Sequence, residues 1–123
     1  MLRYTDNEGI NKRAIIDVEF LTDEGNWVQV PIQIDTAADV SVIPYDMAHQ
    51  LQFISMQMPV YVREVVGSVA AMQVMVKARI MGKEIELPII TSQYITEPLL
   101  GMASFVENFK FSFSPEGFEV QPI

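Results

Sequence analysis

The sequence has no cysteine and a single histidine, and these two absences remove several kinds of chemistry. Without cysteine the chain cannot form disulfides, thiolate nucleophiles or cysteine-based zinc sites. One histidine, His49, cannot build a multi-histidine metal site, and the sequence contains no Gly-x-Ser-x-Gly elbow for a serine nucleophile. We therefore expect neither a metal nor a cofactor, and the catalytic chemistry left to this chain is that of carboxylates.

Basic residues are also few, with 8 against 16 acidic ones, and the formal net charge is −8. Nucleic acids and anionic lipid surfaces are themselves negatively charged, so neither is expected as the main partner. The apolar runs are too short for a membrane span, and the N-terminus lacks the basic-then-apolar pattern of a signal peptide. The lack of cysteine is consistent with a cytoplasmic setting but does not establish one.

Half of the 123 residues are hydrophobic, which is enough for a single domain with a real core. No linker or internal repeat divides the chain, so residues 1–123 are predicted to form one domain. Residues 1–13 are mixed and polar, and we expect a loose arm unless a partner, such as a second chain at a dimer interface, orders them. Strict alternation of apolar and polar residues over 14–21 and 27–34 predicts a β-hairpin.

The rest of the chain also favours β-structure. Further predicted elements are strands over 60–66 and 72–80 joined through 67–71, a strand over 84–90, a loop over 91–98, and short helices near 44–51 and 104–109. Phe109, Phe111 and Phe113 share one face of a later strand and are predicted to be core residues. The sequence thus predicts a mainly antiparallel all-β domain with one or two short helices.

One predicted strand ends in a carboxylate. Asp35 follows an apolar run and precedes Thr36 and two small residues, Ala37 and Ala38. A carboxylate at the end of a buried strand is costly unless it is hydrogen-bonded or functional, and small residues allow another backbone to approach closely. An ordinary polar turn is the alternative, because Asp, Thr and Ser are common turn residues.

The longer run is Ile-Gln-Ile-Asp-Thr-Ala-Ala-Asp-Val-Ser-Val-Ile-Pro, residues 32–44, and it resembles the active-site segment of retropepsin-like aspartic proteases of retroviruses and retroelements. A second mark of that family is an apolar-apolar-Gly triplet about sixty residues on, and Leu99-Leu100-Gly101 matches it. The resemblance covers roughly residues 14–120. The sequence departs from the family at Ala37, where the family has glycine, and at Ala103, where relatives carry Asp or Asn.

This resemblance implies a closed-barrel-like retropepsin fold and a homodimer in which each chain contributes one aspartate to the catalytic pair. It assigns Asp35, Thr36 and Ala37 to the catalytic loop and likens Asp39 to the family residue that binds the substrate main chain. It also makes the predicted hairpin over 60–80 a flap that closes over an extended polypeptide substrate. The substrate-binding residues it suggests there are Val66, Gly67, Ser68 and Val69.

Three functions remain open on these residues. The first is an active homodimeric aspartic endopeptidase, which the retained Asp35-Thr36 pair favours. The second is a catalytically weak or inactive dimerisation or peptide-binding module of the same fold, which the departures at Ala37 and Ala103 favour. The third, an unrelated β-barrel binding protein, requires both family marks to be accidental.

Overall fold

The computed structural model describes the backbone of residues 1–7, 11–51, 58–64 and 67–123, and the side chains of residues 1–5, 12–51 and 71–123. The first elements are β1 (Thr5–Asn7), β2 (Asn11–Arg13), β3 (Ile15–Leu21), β4 (Trp27–Ile34), β5 (Ser41–Pro44), α1 (Tyr45–Gln50) and β6 (Met58–Glu64). The remaining elements are β7 (Gly67–Ile80), β8 (Lys83–Ser92), β9 (Leu99–Leu100), α2 (Phe105–Asn108), β10 (Phe109–Phe113) and β11 (Phe118–Pro122).

The hairpin of β3 and β4 agrees closely with the sequence pattern. The two strands pair antiparallel from Ile15 opposite Gln33 to Leu21 opposite Trp27. Apolar residues alternate inward along β3, whereas Asp17 on its opposite face is exposed. The alternation arises because successive side chains of a strand point to opposite faces of the sheet. The predicted hairpin is therefore confirmed.

Within the described residues seven strands form one sheet in the order β3-β4-β9-β5-β8-β7-β6. An additional pairing of β3 with β7, through Glu19 opposite Arg79 and Phe20 opposite Ala78, joins the first strand to the sixth. Six strands thereby close into a barrel, and β6 extends the sheet beyond β7. The predicted all-β, closed-barrel-like class with short helices is confirmed.

The inside of this barrel is the hydrophobic core. Its side chains come from every strand of the ring, and those with almost no exposed surface include Val18, Phe20, Ile32, Ile43, Ile80, Leu87, Ile89 and Leu100. Burying side chains of this size contributes about 1.5–3 kcal/mol each, before the entropic cost of ordering the chain. The segment that carries Asp35 therefore begins at the packed barrel, because β4 and β9 both belong to the ring.

A second, smaller sheet lies at the chain termini. Strands β10 and β11 pair antiparallel, and Leu2 forms an isolated antiparallel bridge to Phe118. Strands β1 and β2 also pair with each other. The described residues of the N-terminal arm thus pair with their own chain, and whether a partner also contacts the arm stays a prediction. Composition does not encode such backbone pairing.

Two expectations need correction. Residues 67–71 were predicted to connect two strands, but they begin β7, where Gly67 lies opposite Glu64 and Ala71 opposite Val60. The backbone pairing overrides the weak turn signal of one glycine and one serine. Phe113 was predicted to be a core residue, yet 46% of its surface is exposed because it lies at the far end of β10. Within the described residues, no helix is both long and apolar enough to cross a membrane.

Candidate active site

Asp35 is held where strand β4 leaves the barrel. Strand β4 runs parallel to β9, with Gln33 opposite Leu99 and Ile34 opposite Leu100. The N–H of Asp35 continues this pairing by donating to the carbonyl oxygen of Leu100 at 2.9 Å. Because Leu100 has no exposed surface, the backbone of Asp35 is attached to a closely packed, buried partner.

The loop after Asp35 folds back on its carboxylate. The N–H of Ala37 donates to Asp35 Oδ1 at 2.9 Å, and the N–H of Ala38 donates to the Asp35 carbonyl oxygen at 3.2 Å. A side-chain oxygen that accepts from the amide two residues on is the Asx-turn arrangement, which fixes the orientation of the carboxylate. Asp35 is half-buried, whereas Thr36 and Ala37 are exposed. The turn thus presents one oriented carboxylate at the surface of the chain.

The segment after β9 forms hydrogen bonds to this loop and to the start of β5. The N–H of Gly101 donates to the hydroxyl of Ser41 at 3.0 Å, in a fully buried contact. The next two amides, of Met102 and Ala103, donate to the carbonyl oxygens of Ala38 and Asp39, each at 2.9 Å. Three consecutive amides therefore hold the loop after Asp35 against the second family mark, Leu99-Leu100-Gly101.

Gly101 is required by close packing. A Cβ atom built on Gly101 would lie 2.5 Å from the carbonyl oxygen of Val40 and 2.8 Å from the amide nitrogen of Ser41. Both are backbone atoms, so no side chain can rotate away to make room. The glycine of the triplet thus permits the two segments to cross in contact.

The predicted site residues fall into two groups. Asp35, Thr36, Ala37 and Asp39 lie together on one loop, with the Asp39 side chain exposed to solvent. The candidate substrate-binding residues Gly67, Ser68 and Val69 lie instead on β7, opposite Glu64, Arg63 and Val62 respectively. Val66 lies outside the described residues, as does Val65 beside it.

Two supporting groups were not assigned a role from the sequence. The Leu100 carbonyl, which accepts from Asp35, has no side-chain signal that pattern analysis could detect. Ser41 did carry a signal, since a hydroxyl in the apolar run Val40–Ile43 is unusual unless it is hydrogen-bonded. It has no exposed surface, and the Gly101 amide explains its presence.

This arrangement offers carboxylate chemistry and little else. Within the parts of the chain that are described, no three His, Cys, Asp or Glu side chains gather into a group that could hold a metal ion. Hydrolysis by carboxylates needs one group as base and another as acid, close enough to share a proton. The described loop presents the oriented carboxylate of Asp35 beside the exposed and small Ala37, which leaves room for a second loop to approach it.

Comparison with known proteins bears on the fold. No protein-family model matches the chain, and no curated protein matches its sequence. A solved structure of EIAV protease in complex with the inhibitor HBY-793 is similar, with a TM-score of 0.59 and 21% sequence identity. The match covers 78% of this chain and 88% of the protease chain. At that identity the likeness shows the fold alone, and the chain has the fold of a retroviral aspartic protease.

Proposed function

We propose that this chain is one half of a homodimeric aspartic endopeptidase, in which Asp35 from each of two copies forms the catalytic pair. The observation that carries the proposal is the Asp35 loop, whose carboxylate accepts from the Ala37 amide while its backbone is held by the Leu100 carbonyl. A loop that merely ended a strand would not need this support from Leu99-Leu100-Gly101. The retroviral protease fold is consistent with it.

In this proposal the two carboxylates act as a unit. Two carboxylates in contact do not both ionise, so they share one proton and titrate with separated apparent pKa values. The ionised group accepts a proton from the attacking water, and the protonated group donates to the carbonyl oxygen of the scissile peptide bond. Neither a metal nor a cofactor takes part.

The surrounding residues have supporting roles in the same proposal. The Thr36 hydroxyl is exposed and would hydrogen-bond to the loop of the other copy, while Ala37 lines the floor of the cleft. Asp39 would bind the main chain of an extended polypeptide substrate, whose backbone pairs as a β-strand does. The segment Gly67–Val69 on β7 would contact the substrate from the opposite side, together with Val66.

The test is cleavage of a mixed peptide pool, followed by mass spectrometry from acidic to neutral pH. Asp35→Asn removes the proposed base but keeps the shape of the side chain, so cleavage should fall to background while the fold and the dimer persist. Asp17→Asn is the matched control, because Asp17 is an exposed carboxylate on β3 and should be dispensable. A statine-type inhibitor should abolish the same cuts.

Three outcomes decide the matter. Cuts that vanish with Asp35→Asn and with the inhibitor, but not with Asp17→Asn, support the endopeptidase. Cuts that survive Asp35→Asn refute it. A folded dimer that makes no cuts favours the non-catalytic peptide-binding module, and reverting Ala37 to glycine is then the first change to examine. Because the monomer should be inactive, specific activity should also fall on dilution.

A further inference from the structure

A cavity of about 310 Å³ lies between the Asp35 loop and the end of β10. Three parts of the chain meet around it, namely residues before β3, the end of β4 with the loop that follows, and the turn after β10. The N–H of Ile34 joins the first two parts by donating to the Ala14 carbonyl oxygen at 2.8 Å. The lining includes Tyr4 and Lys12 from the first part, Gln33 and Thr36 from the second, and Phe113 and Ser114 from the third.

The charge of the cavity wall is positive, unlike that of the chain as a whole. Among the described residues that line the cavity, Lys12 is the one that is charged, whereas the chain carries 16 acidic against 8 basic residues. Two other cavities, of about 360 and 230 Å³, both include Glu119 in their lining. Asp35 does not line the cavity, and its Oδ1 accepts from the Ala37 amide at 2.9 Å. A concave wall that carries a cation and no carboxylate favours an anionic ligand.

The Lys12 ammonium is held by its own chain and still has donors to offer. It donates to the Pro115 carbonyl oxygen at 2.7 Å and lies 5.7 Å from the centroid of the Tyr4 ring. An ammonium has three N–H donors, and within the described part of the chain Pro115 is the one acceptor that it reaches. Gln33 and Thr36 also line the cavity, and neither side chain is hydrogen-bonded within that same part. The wall therefore offers a carboxylate one charged and two neutral donor groups.

The apolar part of the wall is aromatic. Phe113 lines the cavity and is 46% exposed. Its ring centroid lies 5.7 Å from that of Phe111 and 6.2 Å from that of Phe118. Tyr4 in turn stacks on Phe118, with centroids 5.5 Å apart. These rings hold Phe113 from one side, so its exposed surface remains for a further ring in stacked or edge-to-face contact.

We propose that this cavity binds a small aromatic carboxylate, with the carboxylate at Lys12 and the ring against Phe113. The inference goes beyond the proposed function and does not depend on it, because the described residues of one chain form the whole wall. The ligand is not a substrate, since its carboxylate pairs with an ammonium and no bond in it is broken.

The class of ligand follows from the two ends of the wall. A carboxylate without a ring would leave the exposed surface of Phe113 in water, and a ring without a charge would not use Lys12. The cavity of about 310 Å³ is at the lower end of the range for small-molecule pockets, about 300–1,000 Å³. The ligand that fits it therefore has one ring and a short acidic chain.

The first experiment titrates phenylacetate into the isotope-labelled full chain and follows the backbone amides by NMR. The amides along the cavity wall, such as those of Gln33, Thr36 and Ser114, should shift together with a Kd on the order of 1 mM. One low protein concentration is used throughout, so that self-association does not compete for Thr36. An absence of shifts up to about 10 mM, or shifts centred on Lys110 and Glu119 instead, overturns the site.

The second experiment changes the ligand and leaves the protein intact. Phenylacetamide keeps the ring without the charge, and acetate keeps the charge without the ring. Each should bind at least about fivefold more weakly than phenylacetate, because each loses one of the two contacts. An analogue that binds as tightly as phenylacetate overturns the assigned ligand class.

The third experiment changes the wall. Lys12→Gln removes the charge but keeps a donor for the Pro115 carbonyl oxygen, and Phe113→Ala removes the ring; each should raise the Kd for phenylacetate at least about fivefold. Lys110→Gln is the matched control, because Lys110 is an exposed lysine of β10 whose cavity also contains Glu119, and it should leave the Kd unchanged. An equal loss with Lys110→Gln would indicate non-specific attraction and overturns the site. The comparison of ligands does not depend on how well these variants fold.

The outcomes separate this inference from the proposed function. Phenylacetate binding that depends on Lys12 and Phe113 supports the ligand site, even when no peptide is cleaved. Binding that is absent, or that is unchanged by both substitutions, overturns the site, even when Asp35-dependent cleavage is observed.

Discussion

Replacing Gly101 by alanine should damage the candidate site more than the same change at Gly25 or Gly82. At those two glycines an added Cβ would meet nothing within 4 Å. At Gly101 the added Cβ would lie 2.5 Å from the carbonyl oxygen of Val40 and 2.8 Å from the amide of Ser41, so one of two backbone segments must move. Both segments belong to the barrel wall or to the loop after Asp35. The change therefore acts on stability and on the position of the carboxylate together.

The expected magnitude follows from these contacts. Overpacking a closed interior costs about 1–3 kcal/mol, and more where only backbone can yield. The same movement lengthens the bonds from Gly101, Met102 and Ala103, each worth about 1 kcal/mol. Alanine also stiffens the unfolded chain, which offsets about 0.4–1 kcal/mol. The free energy of unfolding should thus fall by about 3–5 kcal/mol, a large part of the roughly 5–15 kcal/mol typical of a domain.

Urea unfolding followed by circular dichroism measures this loss, at one fixed protein concentration because the proposed dimer would add stability that depends on concentration. Gly25→Ala is the control: its Cβ would meet nothing within 4 Å, but its φ of +85° is left-handed. That change should cost only about 1–2 kcal/mol, from backbone conformation alone. The reasoning is refuted when Gly101→Ala unfolds at the same urea concentration as the parent chain, or at a higher one than Gly25→Ala.

Two further predictions concern other contacts. Ser41→Ala leaves the buried Gly101 amide without an acceptor and should lower the free energy of unfolding, measured in urea, by about 1–3 kcal/mol. The control Ser112→Ala, at an exposed serine, should change it by no more than about 0.5 kcal/mol. Equal effects would contradict the role of Ser41. On the barrel surface, the hydrogen bond from Arg79 lowers the pKa of Glu19 below its ordinary value. The pair therefore adds stability that is present above the unfolded-state pKa and is lost as the pH falls through the folded-state pKa. Glu19→Gln should flatten the acid limb of the curve of unfolding free energy against pH. The effect should be slight, because both groups are partly exposed. Parallel curves for the parent chain and the variant would rule this out.

Much of the barrel could be predicted because its strands carry a local signal. The hairpin of β3 and β4 alternates cleanly, and the observed boundaries of β4 coincide with those predicted. The loop after Asp35 and the triplet ending at Gly101 were also recognised as a pair, through the resemblance to retropepsin-like proteases. That these segments touch, however, required the structure.

The failed expectations share a physical cause. Residues 67–71 carry a weak turn signal, but their pairing with β6 overrides it. Phe113 has the same inward parity as Phe109, yet parity describes only the face of the strand and not how far the core extends beneath it. The contacts of Leu2 and Tyr4 with the terminal hairpin are likewise tertiary contacts that the polar composition of residues 1–13 does not encode.

The sequence by itself determined the strand periodicity and the position of one carboxylate after an apolar strand, and the family resemblance added the glycine that marks a second segment. These features depend on side-chain types and on the two-residue repeat of a strand, which neighbouring residues encode. Only the tertiary structure decided that Gly101 donates to Ser41, 60 residues away, and that Leu2 pairs with Phe118 of its own chain. It also decided that Phe113, at the end of β10, lines the same cavity as Thr36. Contacts of this kind form because the closed barrel brings together backbone segments that are far apart in sequence. Patterns among neighbouring residues do not encode which distant segments meet.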